Sequence, residues 1–191
     1  MKPQPPLVSF KSQMEWEDYL SKNYNNQLGV WMKLSKKGSD DATINHQEAL
    51  EVALMFGWID GQAKTIDEKY WQIKFTPRRK QSIWSKRNCE IATRLIKDKK
   101  MKPTGLIQVE AAKQDGRFDA AYDSPKNMII PDDFLNELSK DKKALEFFKT
   151  LNKTNTYAIV WRLQTAKKPE TRLRRMKTLI EMLSREEKLH P

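Results

Sequence analysis

Residues 57–77, Gly-Trp-Ile-Asp-Gly-Gln-Ala-Lys-Thr-Ile-Asp-Glu-Lys-Tyr-Trp-Gln-Ile-Lys-Phe-Thr-Pro, decide the fold class. From Lys69 to Thr76 apolar and polar residues alternate, which puts Trp71, Ile73 and Phe75 on the core side of an extended strand. Residues 62–66 read as its hairpin partner around Asp67-Glu68, and Pro77 closes the second strand. Just before the hairpin, Gly57 and Gly61 bracket Trp58-Ile59-Asp60 and predict a sharp exit from a helix, where the backbone needs unusual dihedrals. A hairpin set in an otherwise helical chain makes the expected fold α+β.

Toward the N-terminus, Leu28 to Lys36 also alternates, with Val30, Met32 and Leu34 on one side and Trp31, Lys33 and Ser35 on the other. Gly38-Ser39-Asp40-Asp41 ends that strand. Asn45-His46-Gln47-Glu48 reads as a capping box, with Ile44 and Ala49 as its staple, opening a helix to about Phe56. Ser12-Gln13-Met14-Glu15 opens a shorter one to about Lys22 with Trp16, Tyr19 and Leu20 on its buried face, behind a stiff leader containing Pro3, Pro5 and Pro6. Toward the C-terminus the pattern is helical from Ser85, restarts at Pro103-Thr104-Gly105 and stops at Gly116. A loop runs from Asp119 to Pro131. Three helices follow, near 132–151, 155–166 and 170–187, the last carrying Leu173, Met176, Leu179, Ile180 and Leu183 on one stripe. The expected architecture is mostly helical, with a small antiparallel sheet in an α+β part, 1–130, and an all-helical C-terminal subdomain, 131–191, packed on it.

The 191 residues carry 36 Lys and Arg against 25 Asp and Glu, a net charge of +11. No stretch reaches the ~18 apolar residues of a membrane span, so no membrane insertion is expected. The opening MKPQPPLVSF has no apolar signal region, which makes a cytoplasmic location the expectation. Cys89 stands alone and only His46 and His190 accompany it, so neither a disulfide nor a metal site is expected, and no cofactor motif is found. Residues 1–61 hold 6 basic and 8 acidic side chains, 62–102 hold 13 and 4, and 103–191 hold 17 and 13. Nearly all the excess charge therefore sits in one central stretch, where an anionic ligand, an acidic partner or a polyanion would feel it.

Within that stretch, Thr76 to Arg87 concentrates Arg78, Arg79, Lys80, Lys86 and Arg87 with Thr76, Ser82 and Ser85 ahead of a helix N-terminus. Guanidinium groups beside helix N-termini take phosphate or carboxylate, which makes Arg78, Arg79, Ser82, Trp84 and Lys86 candidate ligand-binding residues. Trp58 and Asp60 join them as an aromatic wall and a carboxylate, although glycines flanking an apolar pair more often serve a helix exit, with Trp58 and Ile59 in the core and Asp60 capping backbone amides. Trp71 and Trp84 could instead serve as stacking surfaces beside a nucleic-acid backbone. Tyr157 and Trp161 share a helix face near Arg162 and could line a pocket or form core. Cys89, near a helix N-terminus with Lys86 and Arg87, is a candidate for a lowered thiol pKa.

The strings Phe56 to Gly61, Phe75 to Arg79 with Ser82 and Trp84-Ser85-Lys86, Asn155 to Lys167, and Pro169-Glu170-Thr171-Arg172 leading to His190-Pro191 resemble the YdeI/OmpD-associated family, also called bacteriocin-protection proteins. The resemblance runs over nearly the whole chain. It implies a small cytoplasmic bacterial protein linked to stress or bacteriocin tolerance, with no established reaction, cofactor or catalytic residue. The first expectation is therefore a protection protein that binds an unidentified protein or a small anionic ligand. The second is a nucleic-acid-binding protein of weak, nonspecific kind acting through residues 62–102. The third is an enzyme on an anionic substrate using Arg78, Arg79 and Asp60, for which no catalytic nucleophile or base is visible.

Overall fold

The computed structural model describes residues 3–39 and 43–191, so Asp40 and Asp41 of the expected strand end lie outside the described residues. The chain folds as two compact units: Met1–Trp84 with Asn88–Ala120, and Ser85–Arg87 with Ala121–Pro191. The fold is α+β, with the sheet in the N-terminal part. Among the described residues no helix is long and apolar enough to cross a membrane.

In the first unit, β1 (Leu7–Val8), β2 (Val30–Ser35), β3 (Trp58–Thr65) and β4 (Tyr70–Pro77) form one sheet in the order β1-β2-β4-β3. The sheet is mixed, where a purely antiparallel one was expected. β2, β4 and β3 pair antiparallel, but β1 runs parallel to β2, with Leu7 opposite Trp31. Two residues are too few to show a period. The prolines ahead of β1 hold the chain extended, and the Trp31 N–H donates to the Pro6 carbonyl at 2.8 Å. Proline lacks a donor and is tolerated at such an edge.

Val30, Met32, Leu34, Ile73, Phe75 and Trp58 are buried on one sheet face, as the alternation predicts for the first five. That face meets α1 (Gln13–Asn23) and α2 (His46–Met55): the Trp16 ring lies 5.7 Å from Phe75 and edge-on to Trp58, and its indole N–H donates to the Ala49 carbonyl at 3.0 Å. Asn45 and Glu48 close the expected capping box. Ser12 caps α1 through the Glu15 N–H, while the Glu15 carboxylate accepts from the Lys11 N–H. α2 ends on Gly57, whose φ is +76° and whose absent Cβ would stand 2.9 Å from the Thr104 carbonyl oxygen. A side chain there would meet backbone as well as a left-handed dihedral. Gly61 does not end a loop. It sits inside β3, where the register shifts between Asp60 and Ala63, so the expected bracket 57–61 is a turn at Gly57 followed directly by a bulged strand. α3 (Lys86–Lys97) and α4 (Pro103–Gln114) follow, and Gly116 ends the second at φ +75°.

The second unit is helical: α5 (Asp132–Leu138), α6 (Lys142–Lys149), α7 (Lys153–Gln164) and α8 (Pro169–Ser184). Three helices were expected. The stretch 132–151 breaks because the Asp141 side chain accepts from the Ala144 N–H at 3.0 Å and starts a new helix. That bond holds the Asp141 carboxyl below its ordinary pKa, helped by the Ser184 side chain. The unit's core is Phe134, Leu138, Ala144, Phe148, Ile159, Leu163, Met176, Leu179 and Leu183. Leu173, expected on the same stripe, is 63% exposed; the buried stripe of α8 begins one turn later, at Met176.

Candidate functional site

The loop leaving β4 returns to the helix exit, since the Arg78 N–H donates to the Gly57 carbonyl at 2.9 Å. The two predicted stretches thus meet at the backbone, but their side chains diverge. Trp58 is fully buried, and its indole N–H donates to the Tyr24 carbonyl at 2.8 Å. Asp60 faces α2, with Oδ2 2.9 Å from His46 Nε2. Arg78 is 6% exposed; its guanidinium lies 3.5 Å above the centre of the Trp84 ring, and Nη1 donates to the Ile83 carbonyl. Arg79 is exposed, and its N–H donates to Ser82 Oγ while the Ser82 N–H donates back to the Arg79 carbonyl. Trp84 is buried against Phe118, so that expected stacking ring is closed to solvent, whereas Trp71 is half-buried on the core side of the sheet with its ring against His46. Lys86 belongs to the second unit and pairs with Asp123 at 2.7 Å.

The concentrated charge of residues 62–102 is thereby reduced by partners far away in sequence. Arg94 pairs with Glu51 at 2.6 Å and Lys102 with Glu17 at 2.7 Å. Cys89 departs from expectation as well: burial pushes its thiol up to about 11, and the nearby Arg78 charge only partly opposes this. Among the described residues no cluster of three or more His, Cys, Asp or Glu could hold a metal.

The second unit holds a recess of its own. A cleft of about 170 Å³ is lined by Arg162 of α7, by Arg174, Arg175, Thr178, Leu179 and Met182 of α8, and by Leu189 of the tail. Positions 174, 178 and 182 recur at four-residue spacing and so share one helix face. Arg175 is oriented by its own hydrogen bonds, since Nη1 donates to the Arg162 carbonyl at 2.7 Å and more weakly to Thr165 Oγ1. Leu189 is held in place by Asn155, which is 1% exposed. Asn155 Oδ1 accepts from the N–H groups of Leu189 and His190, and its Nδ2 donates to the His190 carbonyl.

No carboxylate lines the cleft, and Arg162, Arg174 and Arg175 form no ion pair among the described residues. Their neighbours differ: Arg172 is paired with Asp133 and Arg185 with Glu187. Three uncompensated guanidinium groups over an apolar floor of Leu179, Met182 and Leu189 suit a small anion that carries an apolar group. Of these residues the sequence points only to Arg162, beside Tyr157 and Trp161; for Arg174, Thr178 and Met182 the available signal is their four-residue spacing. Tyr157 and Trp161 point elsewhere, the Tyr157 hydroxyl donating to the Asp123 carbonyl and the Trp161 ring lying edge-on to Tyr122.

No curated protein matches the chain, and no solved structure does. Residues 8–108, just over half of the chain, match a family model described as a domain of unknown function, DUF8412. Residues 127–186, which contain α5 to α8 and all of the cleft except Leu189, match the family described as Bacteriocin-protection, YdeI or OmpD-Associated. That second match is narrower than the near whole-chain resemblance, because the hairpin and its basic loop fall within the first. The chain belongs to the DUF8412 family, whose model covers its sheet-bearing half, and its C-terminal helices are similar to the bacteriocin-protection, YdeI or OmpD-associated family over residues 127–186.

Proposed function

We propose that the protein acts in bacteriocin or stress protection by binding a small anion with a compact apolar group, such as an aromatic carboxylate or a phosphate monoester, in the α7–α8 cleft. The observation that carries this reading is the set of three arginines, none of them ion-paired, around a floor of leucine and methionine. A cavity of ~150 Å³ admits benzene, so the cleft volume accommodates one ring or a short acyl chain. The guanidinium groups would fix the charged end and the floor would take the rest. Hydrogen bonds to charged groups contribute about 1.5–3 kcal/mol, so Arg174→Ala should weaken binding about tenfold or more.

Isothermal titration of the full chain with phenyl phosphate, benzoate and inorganic phosphate tests this. Phenyl phosphate should bind more tightly than inorganic phosphate, and Arg174→Ala should lose that binding while keeping the wild-type circular dichroism. Failure of both aromatic probes to bind, or affinities unaffected by Arg174→Ala, would refute the assignment of the cleft.

A further inference from the structure

The sheet has a second face. Antiparallel register places Trp31 opposite Lys74, Lys33 opposite Gln72 and Lys64 also opposite Gln72, so these side chains and Tyr70 share the side turned away from the buried Met32, Ile73 and Phe75. Lys64 is exposed and the other five are half-exposed. The cation–π geometry confirms that they share one surface: Lys33 Nζ lies 3.8 Å from the centre of the Tyr70 ring, and Lys64 Nζ reaches across β4 to within 4.9 Å of the Trp31 ring. Asp60 of β3 stands opposite Phe75 and faces inward, and among the described residues no other carboxylate is carried by β2, β3 or β4.

We propose that this face binds single-stranded nucleic acid, with bases stacking on Trp31 and Tyr70 and with Lys33, Lys64 and Lys74 at the phosphates. The rings lie four register positions apart along the strands, ~13 Å, which leaves room for intervening nucleotides. An exposed lysine over a ring is held weakly, so it can yield the ring to a base and move to the adjacent phosphate. A duplex conceals its base faces and could use only the lysines. An acidic peptide would likewise leave both aromatic platforms unused. The charge of the face and its paired rings therefore favour an unpaired strand.

Fluorescence anisotropy of a labelled oligothymidylate of about twelve nucleotides, measured with the full chain, tests the proposal. Trp31→Ala should weaken binding roughly five- to a hundredfold, while Trp31→Phe, which keeps a ring, should retain most of it. With about three phosphate contacts, affinity should fall roughly twentyfold between 50 and 200 mM salt, and Lys33→Gln with Lys64→Gln should flatten that slope. Near-ultraviolet circular dichroism checks that each variant keeps its fold. The proposal is overturned by absent binding at low salt, by equal binding of duplex or polyglutamate, or by loss in Arg174→Ala without loss in Trp31→Ala. The last outcome would place the anion site in the α7–α8 cleft and leave the proposed function standing.

Discussion

Cys89 shows how one environment overrides a local pattern. Near a helix N-terminus and next to basic residues, a thiol is expected to ionise readily. Its side chain is instead 9% exposed, with Sγ 3.6 Å from the Phe118 carbonyl oxygen, and desolvation dominates. The folded thiol keeps its proton up to about 11, whereas its ordinary value is 9.0. The folded state therefore binds this proton more tightly than the unfolded chain does. The stability so contributed is complete below pH about 9.0 and is lost as the pH rises toward about 11. At pH near 8, iodoacetamide should modify Cys89 slowly in the native protein and rapidly in urea; rapid native alkylation would contradict a buried, protonated thiol. Arg78 teaches the same lesson from the other side. In a run of cations it reads as a ligand-binding group, and the fold lays it on Trp84.

At the scale of elements, what the sequence reveals depends on whether the signal is local. Helix starts written as a cap residue with a glutamate three positions on were legible, at Ser12 with Glu15 and at Asn45 with Glu48. Asn45→Ala removes one half of a closed capping box and should cost about 1 kcal/mol, measurable by urea denaturation with an unchanged slope. An unchanged midpoint would mean that packing of Ala49 and Leu50 alone fixes the start of α2. Strands with a clear period were legible too: β2 buries Val30, Met32 and Leu34 as the alternation names them, and β4 buries Ile73 and Phe75 while Trp71 stays half-buried. Signals that need a partner were not. β1 is two residues long and exists only through its pairing with β2, and the bulge at Gly61 depends on the register with β4. The break before α6 rests on one aspartate inside a run that otherwise keeps helical spacing. The cleft is hardest of all, since Asn155 must draw the tail back before Leu189 can reach α8.

For the molecule as a whole, folding redistributes the charge that the linear count concentrates in 62–102. The unit holding the sheet carries 19 basic and 15 acidic residues, and the helical unit 17 and 10, so the larger net positive charge belongs to the unit with the arginine cleft. Each unit also has its own buried side chains, Trp16, Trp58 and Phe75 in one and Phe134, Leu138 and Leu183 in the other. The arginine cleft depends on the second of these cores, because Leu179 belongs both to that core and to the cleft floor, and Leu183 packs one turn beyond it on α8. Leu183 is fully buried, so Leu183→Ala removes packed methyl groups and leaves a cavity, at a cost of about 2–5 kcal/mol. A loss of that size should speed hydrogen exchange of the slowest amides in α7 and α8 by roughly thirtyfold or more, as read by mass spectrometry of deuterated peptides. The same variant should weaken phenyl phosphate binding, because a loosened α8 no longer holds Arg174 and Arg175 at fixed positions. Exchange at the wild-type rate would show that the four helices do not rest on this core, and the cleft would then need another source of rigidity.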